Sequence, residues 1–287
     1  MHSIPKPRSC MKYHSNWYHN MRHEETFDRP LRLIGEKAQR RIMSSKFAVA
    51  GMGVLGTPLT ITLSRMGASE LRLLDSGVVE KVNLANNIFL NERHVGLKKS
   101  EAVAELARSW SLRKCKVRSY DFDVTDQKKW YRLKCFISGV NLVYGCFDNL
   151  PARFSLNSAA IVRNVKYVDL GVEGFSGRIR LIDRLRACYA CNPLVPEDLS
   201  VNNYSLTKSG KGCDYAPTIT ILPTCLSTVS HAVIEGLKFL GILTGDDRYD
   251  YLYYNFLTSD KPVKMQILKQ RDCEICGHHG FLNWQKP

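Results

Sequence analysis

The chain has 287 residues, of which 44% are hydrophobic, with a formal net charge of +14 and a pI near 9.4. That is enough for one large α/β domain or two modest ones, each with a substantial core. No run of about 18 uninterrupted apolar residues occurs, and residues 1–24 lack the apolar centre of a secretion signal, so membrane insertion and export are disfavoured and a cytoplasmic protein with no membrane partner is expected.

In chain order, residues 1–26 read as an N-terminal extension. Leu31, Ile34, Ala38 and Ile42 recur at helical spacing, which predicts one amphipathic helix over 31–44. A short strand at 46–50 runs into Gly51-Met-Gly53-Val-Leu-Gly56, and Leu55, Leu59, Leu63 and Met66 then give a helix that Gly67 closes. A second strand at 70–74 ends at Asp75. A helix at 100–108 follows, then strands near 115–121 and 141–146, a helix beginning near Pro151, and a strand at 167–170. This alternation predicts a Rossmann-like α/β fold, a mostly parallel sheet with helices on both faces. Arg178-Ile-Arg-Leu-Ile182 alternates in polarity and is expected to be an antiparallel strand with one wet face. A weakly patterned stretch at 192–224 carries four prolines. A periodic helix over 226–240 ends at Gly241, and two further strands lie near 251–256 and 263–268. The parallel part, 27–180, is expected to bind nucleotide, and 181–287 to extend it with antiparallel strands and a metal site, all within one continuous domain.

Three glycines after a strand let the chain turn tightly, let phosphates approach the backbone and let the next helix point its N-terminus at an anion. Asp75, about 20 residues on at the tip of the next strand, stands where a carboxylate accepts from ribose hydroxyls. Without a ligand, the same pattern is a tight turn in an α/β sheet. Asp148, after the apolar run 141–146, belongs at the carboxyl end of a parallel strand, where an acid holds Mg²⁺ on nucleotide phosphates; its competing role is to cap the helix that follows. Lys99, before a helix, is either a phosphate ligand or a solvated lysine.

Ten cysteines are present. Cys115, Cys135 and Cys146 lie in or beside apolar runs, as buried thiols do, and Cys225, at a helix start, is expected to be buried too. Cys188-Tyr-Ala-Cys191 and Cys273-Glu-Ile-Cys276 have the spacing of a closed Zn²⁺ cage, with independent redox dithiols as the alternative. Cys213 lies near Lys211, a cation that lowers a thiol's pKa, and is either reactive or a passive structural thiol. Basic pairs such as Lys98-Lys99 and Lys128-Lys129 are scattered rather than gathered on one face. The excess favours acidic partners, whether a small acidic protein, a nucleic acid or polyphosphate, with nucleic acid the less expected; the scatter suits a generally basic surface.

These landmarks together resemble the ThiF/MoeB/HesA adenylyltransferases, relatives of ubiquitin-activating enzymes, from about Phe27 to Gly277. The matching positions are Arg29, Gly51, Gly53 and Gly56, Asp75, Asn83-Leu84, Gly96 and Lys99, Asp148-Asn149 with Arg153 and Asn157, Gly171-Val-Glu-Gly174, the two cysteine pairs and Cys213. The resemblance implies a homodimer that binds Mg-ATP and adenylates the C-terminal tail of a ubiquitin-like sulfur carrier protein or a peptide. It implies nucleotide contacts at the glycine turn, ribose at Asp75, phosphates at Asn83 and Lys99, metal at Asp148 beside Asn149, and Arg29 reaching the partner's site. The pattern departs at Asn86 and Asn87, where the family usually has Arg and Gln, and at Gly77, where relatives commonly keep a second acid. An uncharged Asn86 in place of a phosphate-binding arginine means that another cation, Arg93 being nearest, compensates, or that the chemistry is slowed, altered or lost. A scaffold or heterodimer subunit, and an enzyme acting on a tRNA-linked carboxylate, are the competing expectations. A nicotinamide dehydrogenase is less favoured, since no hydride-transfer constellation accompanies the glycines.

Overall fold

The computed structural model describes residues 24–191, 219–245, 249–258 and 261–277. Cys213 and the proline-containing stretch 192–218 lie outside them, as does most of the N-terminal extension. Strand periodicity sorts the core. In β1 (Lys46–Ala50), Phe47 and Val49 face one side of the sheet while Ala48 and Ala50 face the other, and all four are buried. A strand covered on both faces has no wet side, so it reads as a continuous apolar run. β4 (Leu142–Gly145) is likewise buried throughout, and β2 (Glu70–Leu74) is buried on both faces although it carries Glu70 and the half-buried Arg72.

Among the described residues the sheet has eight strands in the order β3-β2-β1-β4-β5-β6-β7-β8. Strands β1 to β5, with β3 at Lys116–Tyr120 and β5 at Lys166–Glu173, are parallel; β6 (Ser176–Ile182), β7 (Tyr251–Asn255) and β8 (Val263–Met265) continue antiparallel. On one face pack α2 (Glu36–Ser44), α3 (Gly56–Arg65), α4 (Lys99–Trp110) and α7 (Leu222–Phe239); on the other lie α5 (Trp130–Ile137), α6 (Leu150–Arg163) and the four paired cysteines. Arg41 of α2 donates to the carbonyls of Leu240 and Gly241, placing a cation at the negative end of α7. Since β1 is flanked by β2 and β4, the chain leaves it in opposite directions, and a crevice opens at the carboxyl ends of β1 and β4.

Four sequence expectations change. The single helix over 31–44 is two helices, α1 (Glu24–Ile34) and α2, because Gly35 adopts φ 80°, outside the helical region. The strand expected to face solvent at 178–182 is buried for most of its length, Arg180 included at 1% exposure. Cys135 is exposed, and Cys115 and Cys146 are only partly buried, whereas Cys225 is fully buried. Helix α5 had no counterpart in the sequence reading. Helix α6 is capped by Asn149, whose Oδ1 accepts from Ala152 N–H at 2.9 Å. Asn149→Ala is therefore expected to lower stability by about 1 kcal/mol, measured as a shift of the urea midpoint with an unchanged slope.

Candidate functional site: a nucleotide crevice joined to a thiolate cage

The crevice starts at Gly51, which adopts φ 91° and donates its N–H to Leu74 O at 2.8 Å. A Cβ on Gly51 would stand 2.6 Å from the Cys146 carbonyl oxygen, and one on Gly56 would overlap the Gly51 carbonyl oxygen. Only glycine lets the turn nest so closely between β2, β4 and α3. Gly53 differs, since nothing lies within 4 Å of where its Cβ would be. That open space lies beside the N-terminus of α3, where partial positive charge favours an anion.

Asp75, at the end of β2, is oriented by two amides: Met52 N–H donates to Oδ2 and Gly77 N–H to Oδ1, each at 2.7 Å. Each carboxylate oxygen has a lone pair left for a hydroxyl. Lys99 begins α4, and its side chain packs over Gly77, with Nζ 3.6 Å from the position of a Gly77 Cβ. That same Cβ would press to 3.1 Å of Asp75 Oδ1. A side chain at position 77 would therefore press on both Asp75 and Lys99.

The segment after Gly77 braces the turn. Asn83 Oδ1 accepts from Glu80 N–H at 3.0 Å, closing the 3₁₀ turn Lys81–Asn86. Asn86 Nδ2 donates to Thr220 O at 3.1 Å, and Thr220 Oγ1 donates to Gly174 O at 3.2 Å, so Asn86 joins a lip between this segment and the β5–β6 turn. Asn87 is buried, with Nδ2 3.4 Å from Gly53 O. Arg93 is exposed in the short 3₁₀ turn Glu92–His94.

Asp148 lies exposed just beyond β4, with Oδ1 accepting from Asn149 Nδ2 at 3.2 Å. Because Asn149 supplies the helix cap, the capping role considered for Asp148 falls away. Behind this loop lies a buried network that the sequence reading did not assemble. Arg153, on α6, donates to the carbonyl of Phe147 and to Asp169 Oδ2; Tyr167 donates to Asp169 Oδ1 at 2.6 Å and Tyr189 to Oδ2 at 2.7 Å. Burial, and next the Asp169 charge, pushes the pKa of both tyrosines up, which keeps them protonated as donors. The available signals were an aspartate inside the apolar strand Tyr167–Leu170 and a tyrosine within the first cysteine pair.

The match with known proteins covers the crevice and all of the cage but Cys276, since the ThiF family profile extends over residues 27–275. The chain belongs to the ThiF family. Ubiquitin-like modifier-activating enzyme 5 of Drosophila grimshawi is 28% identical over 249 residues, 83% of this chain and 60% of that protein. The enzyme of the same name from Drosophila melanogaster is 29% identical, over 83% of this chain and 59% of the relative. The chain thus spans about 60% of the length of these relatives. The fold is shared with crystal structures of E. coli MccB: the complex with MccA-N7isoASN has a TM-score of 0.73 at 16% identity, covering 90% of this chain and 76% of that one. The structure with ATP has a TM-score of 0.71 at 15% identity, covering 88% and 74%.

In this ThiF-family chain the four paired cysteines converge. Cys188, Cys191, Cys273 and Cys276 are buried, with their sulfurs within 4.8 Å of one another. Cys188 and Cys273 approach to 3.5 Å, and Cys191 and Cys276 to 3.4 Å. Those spacings are too long for disulfides. Tetrahedral Zn²⁺ with Zn–S bonds near 2.3 Å sets its sulfurs about 3.8 Å apart, so the donor set fits zinc. Arg180 donates to Cys188 O at 2.8 Å and lies over the Tyr189 ring at 4.5 Å, placing a buried cation beside an anionic cage. Four cysteine ligands would leave no coordination position open, as in a structural rather than a catalytic zinc site.

Other thiols divide by environment. Burial pushes the pKa of Cys115 up to about 11, and raises those of Cys146 and Cys225, which keeps all three in the inert thiol form. Arg29 is exposed on α1 and is not brought to the crevice. Phe27, two residues earlier, packs near Gly67, at the end of α3 remote from Gly56.

Proposed function

We infer that this chain is an ATP-dependent adenylyltransferase that activates the C-terminal carboxylate of a ubiquitin-like protein or peptide, a sulfur carrier being the form we favour. The observation that carries the reading is an exposed Asp148 at the crevice of the glycine turn, its neighbour Asn149 having taken over the capping of α6. A nucleotide would lie with its phosphates over Gly53, its ribose on Asp75 and a phosphate within reach of Lys99. Asp148 would hold Mg²⁺, which supplies charge neutralisation on the phosphates. The carboxylate oxygen of the substrate tail forms a bond to the α-phosphorus while the bond to the bridging oxygen breaks, and pyrophosphate leaves. Attack of one anion on another requires donors and cations that offset their repulsion, so positioning and electrostatics supply the catalysis.

The exposed Arg29, remote from its own crevice, fits a homodimer in which each subunit lends that arginine to the other. Residues 27–180 serve the nucleotide and 181–287 the tail and the metal. No described helix is long and apolar enough to cross a membrane, and we assign the protein to the cytoplasm. The test is exchange of labelled pyrophosphate into ATP, dependent on an added small protein or peptide with a free glycine terminus. Exchange that stays absent across such substrates would overturn the reading.

Asn86 motivates a second reading, a scaffold or heterodimer subunit with weakened catalysis, because its amide carries no charge and already donates to Thr220 O. Titration calorimetry separates the two. Micromolar ATP binding supports the enzyme, whereas tight binding of a protein partner without ATP affinity supports the scaffold.

A further inference from the structure

Tyr189 stands between two zinc ligands in the chain, yet its side chain points away from them into the network behind the Asp148 loop. Its backbone N–H donates to Asn157 Oδ1 at 3.0 Å, and its hydroxyl donates to Asp169 Oδ2 at 2.7 Å and lies 3.3 Å from Arg153. Arg153 is pinned to Asp169 and, through its other terminal nitrogen, to the carbonyl of Phe147, the residue before Asp148. Tyr189, Asn157, Asp169 and Arg153 are buried, as are the four cysteines at one end of the path, while Phe147 is half-buried and Asp148, at the other end, is exposed.

We propose that Tyr189 is a positioning residue that links the thiolate cage to the Asp148 loop, so that zinc and magnesium-nucleotide strengthen each other's binding through Asp169 and Arg153. The proposal rests on the crevice being the nucleotide site. Its physical basis is the dense interior: a closed cage fixes the backbone on both sides of Tyr189, and the hydroxyl then holds Asp169 and Arg153 where they support the Phe147 carbonyl. Without metal, no bond ties the four sulfurs to one centre, and the backbone on both sides of Tyr189 loses that restraint. Coupling between two binding sites is reciprocal, so zinc must improve nucleotide affinity by the factor with which nucleotide improves zinc retention.

Tyr189→Phe isolates the link. It keeps the ring over Arg180 and beside Phe154, keeps the four cysteines and the backbone bond to Asn157, and removes the hydroxyl alone. Two measurements on the full chain are needed: Mg-ATP affinity by calorimetry before and after zinc is stripped, and the equilibrium partition of zinc to a chelating dye with and without Mg-ATP. In the wild type each is expected to give a factor of about 10, equal within error. In Tyr189→Phe the zinc content is expected to remain that of the wild type while both factors fall close to one. An unstable stripped form would couple the two ligands alike in both proteins, so it would leave the coupling in Tyr189→Phe, and only loss of coupling in that variant assigns it to the hydroxyl. The proposal is overturned if Mg-ATP binds the wild type but leaves zinc partition unchanged, or if Tyr189→Phe keeps the full coupling. Failure of the zinc-loaded wild type to bind Mg-ATP at all would overturn the nucleotide reading itself and this inference with it.

Discussion

Asp148→Ala is expected to abolish carrier-dependent pyrophosphate exchange, lowering the rate by roughly 10³-fold or more, while leaving the fold and the zinc content intact. The two halves of this expectation have separate causes. Asp148 is exposed and contributes no cap to α6, so its removal leaves the helix end satisfied by Asn149. Its carboxylate is the acid at the carboxyl end of β4, and a metal ion held there would offset charge on phosphates that the uncharged Asn86 would leave unneutralised. The matched control is Asn149→Ala, which trades stability for little loss of activity. Retention of more than a tenth of wild-type exchange by Asp148→Ala, with its melting temperature unchanged, would remove Asp148 from the mechanism.

The largest loss of stability is expected from Asp169→Ala, about 3–5 kcal/mol in urea unfolding. Arg153 and Asp169 are buried at 3% and 1% exposure, and Asp169 also accepts from two tyrosines. Alanine leaves a buried guanidinium without its counter-charge and two buried hydroxyls without an acceptor, and each of these is costly in a low-dielectric interior. Replacing both charged partners together, Arg153→Met with Asp169→Leu, is expected to recover part of the loss, because the uncompensated charge then disappears. A single-variant loss below about 1 kcal/mol would mean that water reaches the site and the network is not closed.

Much of this architecture was legible because it follows from local pattern. The strands at 46–50 and 70–74 were legible from the glycine turn that follows the first and the acid that ends the second, and the spacing of Gly51, Gly53 and Gly56 marked the tight turn between them. The cysteine pairs gave the cage, since Cys-x-x-Cys spacing brings two sulfurs together before any tertiary contact forms. What local pattern missed was decided by distant partners. Alternation in Arg178–Ile182 suggested a wet face, but Arg180 finds the carbonyl of Cys188 and the ring of Tyr189, contacts absent from its own neighbourhood. Helical spacing carried across Gly35 because side-chain periodicity does not report φ. Helix α5 mixes aromatics with basic residues over eight positions, too short for a clear stripe. Asp169 was passed over because an acid in a strand announces its cost and not its partner.

The order of strands also bears on how copies of this chain can meet. Among the described residues β3 stands at one edge of the sheet with Lys116 and Arg118 exposed, while β8, at the other edge, is three residues long and carries an exposed Lys264. Like charges and brevity at the outermost strands oppose backbone pairing between molecules, the route by which sheets fuse and aggregate. Self-association is thereby steered away from a continuous intermolecular sheet and towards side-chain contact across helices and loops, the kind of interface that is lost without unzipping the subunit.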